Sequence, residues 1–188
     1  MNRLIPGTTI KYTEQARNSA FSLISPVLEA TGGLTLSQLS KLTGLEGSTI
    51  QNWIKRGWVS STKGKKYDQQ QVLRILLINM LRGTMKLESI ARLMVYINGD
   101  VEDTEDDIID EILLFDLLCK MIFIAEDNAV FTPDDVRAMI DHELNECESG
   151  ITSDEEKLSK AMYVMIMAYR SAWLKYETEK GMAEIFGE

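Results

Sequence analysis

The sequence predicts a mainly α-helical fold, and three observations carry that prediction. Only three prolines interrupt 188 residues, apolar side chains recur at spacings of three and four over most of the chain, and one stretch alone, residues 59–67, reads as β-compatible. A composition of 45% hydrophobic and 26% charged residues is that of a globular protein and excludes a largely disordered or collagen-like chain. The longest apolar run, residues 161–169, is too short to span a bilayer, and the N-terminus carries no apolar stretch of signal-peptide length. Cys119 and Cys147 are the only cysteines, too few for a disulfide framework or a four-cysteine metal site. The expectation is a soluble, cytoplasmic protein with no membrane contact.

The elements follow in order. Residues 13–30 read as a helix opening at Thr13, with Pro26 inside it predicting a kink or an early end, and Gly32 and Gly33 closing it. Leu36, Leu39 and Leu42 make a short helix stopped by Gly44. Ile50, Trp53 and Ile54 make a second, ended by Gly57. Two short helices joined by a glycine-bearing turn form a helix-turn-helix pattern. Residues 59–67, VSSTKGKKY, read as a small hairpin, or wing. Asp68 offers an N-cap to a helix through Val72, Ile75, Leu76 and Met80 that ends at Gly83, and Leu87, Ile90, Met94 and Ile97 mark the next. Beyond these lie an apolar helix over 105–125, a helix opening at Thr132-Pro133 and running to about Cys147, and a last helix starting near Ser153.

Charge divides the chain. Residues 1–98 hold 13 Lys/Arg against 5 Asp/Glu, a net +8; residues 99–188 hold 7 against 24, a net −17. So sharp a change of sign suggests two modules with different partners, one attracted to polyanions, although two solvated halves that attract each other fit the same count. The predicted organisation is an N-terminal helical extension over 1–33 packing on the first module, a DNA-binding module over 34–99, and an acidic helical domain over 100–188 for dimerisation or effector sensing.

The stretch Gly44-Leu45-Glu46-Gly47-Ser48-Thr49-Ile50-Gln51-Asn52-Trp53, followed by Lys55-Arg56-Gly57-Trp58, resembles the recognition segment of the MerR (mercury-resistance regulator) family of bacterial transcription factors. Lys65-Lys66-Tyr67 ahead of Asp68 is similar to the turn that closes the family's wing, and residues 77–94 to its following pair of helices. The likeness covers about residues 34–97. Gln51 stands where the family usually has arginine, and the wing is a few residues shorter. The whole chain looks like a bacterial family of unknown function that joins a MerR-like motif to a helical remainder. The resemblance implies a winged helix-turn-helix, double-stranded DNA as partner, and a homodimer formed by helices after the DNA-binding module.

Side-chain chemistry points the same way. Ile50, Trp53 and Ile54 would form the buried face of the second helix, leaving Ser48, Thr49, Gln51, Asn52 and Lys55 to face a major groove, where Gln and Asn can pair with adenine. Lys55, Arg56, Lys63, Lys65 and Lys66 would meet phosphates. The same residues also fit an ordinary helical hairpin with a solvated basic loop, and a protein-interaction adaptor is the alternative function. The −17 half would repel DNA, which raises the expectation that it covers the basic face when no effector is bound.

In the second half, Met162, Met165, Tyr169, Trp173 and Tyr176 form an apolar stripe that reads either as core or as a dimer seam or ligand surface. His142 and Glu146 share a helix face beside Cys147, but a single histidine is poor provision for zinc, so no metal or other cofactor is expected. Glu102, Asp103, Glu105, Asp106 and Asp107 lack the pattern of a calcium loop. With no nucleophile-base set or phosphate-cradling loop legible, an enzyme is not expected.

Overall fold

A computed structural model of the chain describes residues 3–62, 64–99, 107–130, 132–147, 150–151 and 154–187. Among them the fold is mainly helical, with one small two-stranded antiparallel sheet. The helix expected over 13–30 is instead three pieces: α1 (Gln15–Asn18), a 3-10 turn (Phe21–Leu23) and α2 (Ser25–Thr31). Ser19 is extended between the first two. Its hydroxyl donates to Asp116 Oδ2 at 2.6 Å, and the Phe21 N–H donates to Asp116 Oδ1 at 2.8 Å, so a carboxylate distant in sequence replaces the helical bonds. Pro26 kinks nothing, because it lies in the first turn of α2, where its missing N–H costs no bond.

β1 (Leu34–Thr35) leads into α3 (Leu36–Thr43), which opens on a capping box between Thr35 and Gln38 and stops at left-handed Gly44. After the turn comes α4 (Gly47–Lys55), then β2 (Lys66–Tyr67) and α5 (Gln69–Leu81), which carries a second capping box, Asp68 with Gln71. The expected hairpin within 59–67 is corrected here. β2 pairs with β1, Leu34 opposite Tyr67 and Thr35 opposite Lys66, so the partner strand comes from ahead of α3. The reason is burial: Tyr67 and Leu34 both enter the core, and Val59 does too, which spends its side chain inward rather than on a wing. Two further bridges, Leu4 with Lys11 and Ile109 with Ile151, lie where no strand was expected.

α5 is the central element, buried over all but Gln69, Gln70 and Asn79. Asn79 Nδ2 donates to the carbonyls of Gly7 and Thr43, both at 2.9 Å, tying the N-terminal loop and the end of α3 to α5. α6 (Leu87–Asn98) follows, and Asn98, fully buried, donates to the Ile109 carbonyl at 2.7 Å, holding together the two ends of the acidic segment.

α7 (Glu111–Asp127) begins six residues later than the sequence suggested, because the Asp110 side chain caps Ile112 and Leu113. α8 (Pro133–Asn145), capped by Thr132, and α9 (Glu155–Phe186), capped by Asp154, complete the chain. α7 and α9 both pack on α5, and the buried side chains from the two differently charged halves form one continuous core. Arg74 of α5 and Glu111 of α7 make a buried ion pair across that contact. The N-terminal segment reaches both halves: Thr9 binds the Lys41 and Leu42 carbonyls of α3, while Arg3 pairs with Glu126 and Asp127 of α7. Among the described residues no helix is long and apolar enough to cross a membrane.

Candidate nucleic-acid interface

α4 has two unlike faces. Ile50 and Trp53 are buried and Ile54 half-buried, whereas Ser48, Gln51, Asn52 and Lys55 are exposed. The exposed four stand at i, i+3, i+4 and i+7, one straight stripe along the helix. Thr49 is half-buried at its edge. Gly47, the first residue of α4, lets it approach α3 closely: a methyl there would lie 3.1 Å from Leu36 Cδ2. The side chains expected to read a groove are therefore presented together, on a helix whose other face is anchored by Trp53. All four stripe residues are exposed, and among the described residues no helix of the acidic half buries them. The acids at 102, 103, 105 and 106 lie outside the described residues.

The cations around the stripe differ in how free they are. Lys55 and Lys65 are exposed. Arg56 lies 5.1 Å over the Trp58 ring and 3.4 Å from Glu88 on α6, an open ion pair that adds little stability but sets the start of α6 beside the end of α4. The Lys66 ammonium donates to the Thr31 carbonyl at the end of α2. Lys63 lies outside the described residues. Sequence reading missed Lys86 and Arg92: both are exposed, and Arg92 follows Glu88 by one helical turn, on the side that Arg56 marks. A basic residue before and after Glu88 was visible in the sequence, but its proximity to α4 was not.

The apolar stripe of the last helix does not stay together. Met162 and Met165 are fully buried against the body and belong to the core. Tyr169 is half-buried, its phenol pushed up by burial. Trp173 and Tyr176 are exposed. His142 on α8 and Glu146 at its C-cap are exposed, and among the described residues no three His, Cys, Asp or Glu are placed to share a metal ion. Cys119 is fully buried on α7, its thiol raised well above its ordinary range by burial, so it is an inert core side chain. A cleft of about 230 Å³ lies between α7 and α8, lined in part by Asp116, Lys120, Glu143 and Cys147; its Lys120 and Glu143 already pair at 2.6 Å.

A family model described as a domain of unknown function, DUF1836, matches residues 18–113, just over half of the chain. The chain belongs to this family. The DUF1836 match runs from the end of α1 into the first turn of α7, so it takes in the α3–α4 pair, the small sheet and both partners of the Arg74–Glu111 contact. The chain is also similar to the uncharacterised protein YkrK of Bacillus subtilis strain 168, 25% identical over 116 residues, which is 60% of this chain and 48% of YkrK. This chain thus spans about half the length of that curated relative. No solved structure matches.

Proposed function

We propose that this DUF1836 protein is a bacterial, cytoplasmic DNA-binding transcriptional regulator in which α3 and α4 act as a MerR-like helix-turn-helix. α4 enters the major groove, Gln51 and Asn52 meet base edges, and Lys55 and Lys65 meet phosphates, joined by Lys86 and Arg92 from α6. The observation that carries this reading is the exposed stripe of Ser48, Gln51, Asn52 and Lys55 on a helix whose opposite face is core, within a half of net charge +8. One such unit covers one half-site, so the reading calls for two copies on an operator. The acidic second half would then sense an effector or partner.

Fluorescence anisotropy against a pool of random duplexes, at two salt concentrations, tests it. Lys55→Ala should weaken binding several-fold and lower the salt slope by about one. A folded protein that binds no duplex at low salt refutes the reading. The alternative, an adaptor that uses the same fold to bind a protein, is favoured by Arg56 and Lys66, whose charges already have partners within the fold. Weak, sequence-indifferent DNA binding together with a stable protein complex would favour it.

A further inference from the structure

Residues 3–12 form a closed loop. Leu4 bridges Lys11, and the Tyr12 N–H donates to the Arg3 carbonyl at 2.8 Å. Inside it the Ile5 N–H donates to the Ile10 carbonyl at 2.8 Å and the Thr8 N–H to the Ile5 carbonyl at 3.0 Å. Ile5 is fully buried. A segment so bonded to itself moves as one piece.

The tip of the loop is seated on α5 and α3. Gly7, at φ +75°, lies so close to α5 that a methyl there would fall 2.5 Å from the Leu76 carbonyl oxygen. Past it, Thr9 completes α3. A helix leaves its last carbonyls without partners of its own, and three of those of α3 are met from outside. The Thr9 hydroxyl donates to Lys41 at 2.7 Å, the Thr9 N–H to Leu42 at 2.8 Å, and Asn79 Nδ2 to Thr43 at 2.9 Å. That same amide donates to the Gly7 carbonyl. The Thr43 hydroxyl then accepts the Leu45 N–H at 3.2 Å, so the turn from α3 into α4 starts on groups that the loop holds.

The base of the loop is fastened to the last turn of α7. Arg3 donates from Nε to Glu126 and from Nη2 to the Phe123 carbonyl at 3.1 Å, and its Nη1 lies 3.1 Å from Asp127. Its guanidinium stands 5.0 Å from the centres of both the Tyr12 and Phe123 rings, which themselves meet edge to face at 4.7 Å. A planar fork held between two rings and two carboxylates has one orientation, which a lysine ammonium would not fix.

We infer that the loop is a strut through which Arg3 positions the α3–α4 pair, so that the acidic end of α7 holds the turn that aims α4. Nothing in this depends on what α4 binds. Coupling through contiguous bonds is reciprocal, and loosening either end should loosen the other. Amide hydrogen exchange on the full chain reads it. Arg3→Met, which keeps the stem and removes the fork, should speed exchange at Gly44 and Leu45 at least ~10-fold while leaving α5 unchanged, because a local opening does not unfold the body. Thr9→Val should speed the same two amides and also those of Asn128 and Val130, which close α7 on the Ile124 and Ala125 carbonyls. Arg17→Met removes the other cation on Asp127, 2.6 Å from it, without touching the loop, and should leave Gly44 and Leu45 unmoved. Faster exchange confined to residues 3–12 and 123–130 in Arg3→Met would make Arg3 a local clasp, and faster exchange throughout α5 would make it a general prop; either overturns the inference. So does an Arg17→Met effect at Gly44 equal to that of Arg3→Met, which would trace it to charge on α7 alone. Should Arg3→Met not fold, Arg3→Lys should give the same pattern at smaller size, and unchanged exchange at Gly44 refutes the strut.

Discussion

Gly32 and Gly33 are adjacent, both have positive φ, and they should respond very differently to the same added methyl. Gly32 has φ +63° and nothing within 4 Å of where a Cβ would sit. Alanine there meets only the left-handed backbone cost, about 1 kcal/mol. Gly33 has φ +109°, further from any conformation alanine adopts, and its Cβ would fall 2.5 Å from the Tyr67 carbonyl oxygen. That oxygen belongs to β2 directly opposite Leu34, so it cannot retreat without parting the two-residue sheet and drawing Tyr67 out of the core. Backbone strain of about 1–3 kcal/mol, together with loss of part of the sheet pairing, puts Gly33→Ala at roughly 3–4 kcal/mol. Urea unfolding of both variants measures the difference, and Lys55→Ala, at an exposed site, serves as a neutral control. Equal costs at the two glycines, or less than about 1 kcal/mol at Gly33, would mean that β2 is not held against β1 as described.

The two faces of α4 should separate in the same assay: Trp53→Ala should cost about 3–5 kcal/mol of stability, whereas Asn52→Ala should stay within about 0.5 kcal/mol and act only on binding. Asp116→Ala removes the acceptor of both Ser19 and Phe21 and should cost about 2–4 kcal/mol, with limited proteolysis showing cleavage near residues 19–24 before the rest of the chain. Burial lifts the Glu111 carboxyl from 4.5 to about 7; Arg74 opposes the lift, and Asp107 and Asp110 reinforce it. The fold therefore holds that proton more firmly than the unfolded chain does. Its contribution is complete below about pH 4.5 and is lost as pH rises through about 7, so the stability of the natural chain relative to Glu111→Gln should fall by more than ~1 kcal/mol between pH 5 and 8. Urea melts at the two pH values check this, and a pH-independent difference would remove burial as the cause.

What was legible in the sequence is what neighbouring residues decide among themselves. Thr35 with Gln38, Asp68 with Gln71, and Thr132 with Asp135 open their helices by contacts three residues long, and Gly44 closes one by its own φ. The buried and exposed faces of α4 follow from spacing alone, which is why its stripe was found. The features that were missed depend on partners far along the chain. Ser19 leaves the helical path for Asp116, 97 residues on; β2 takes its partner from ahead of α3; the start of α6 meets the end of α4 through an ion pair between Arg56 and Glu88. A two-residue strand has no periodicity to read, so burial of Tyr67 and Leu34, not pattern, sets the pairing.

The acidic run 105–107 fits a helix N-terminus as well as Asp110 does, and only the side-chain cap on Ile112 and Leu113 decides between them. The stripe from Met162 to Tyr176 makes the limit plainest. Its spacing gives the angle at which α9 meets its neighbours, and that angle is the same at Met162, fully buried, and at Tyr176, 61% exposed. Where along that line core becomes surface depends on where the body stops, which Thr84 and Gly83 mark from another helix turn, some 85 residues earlier in the chain.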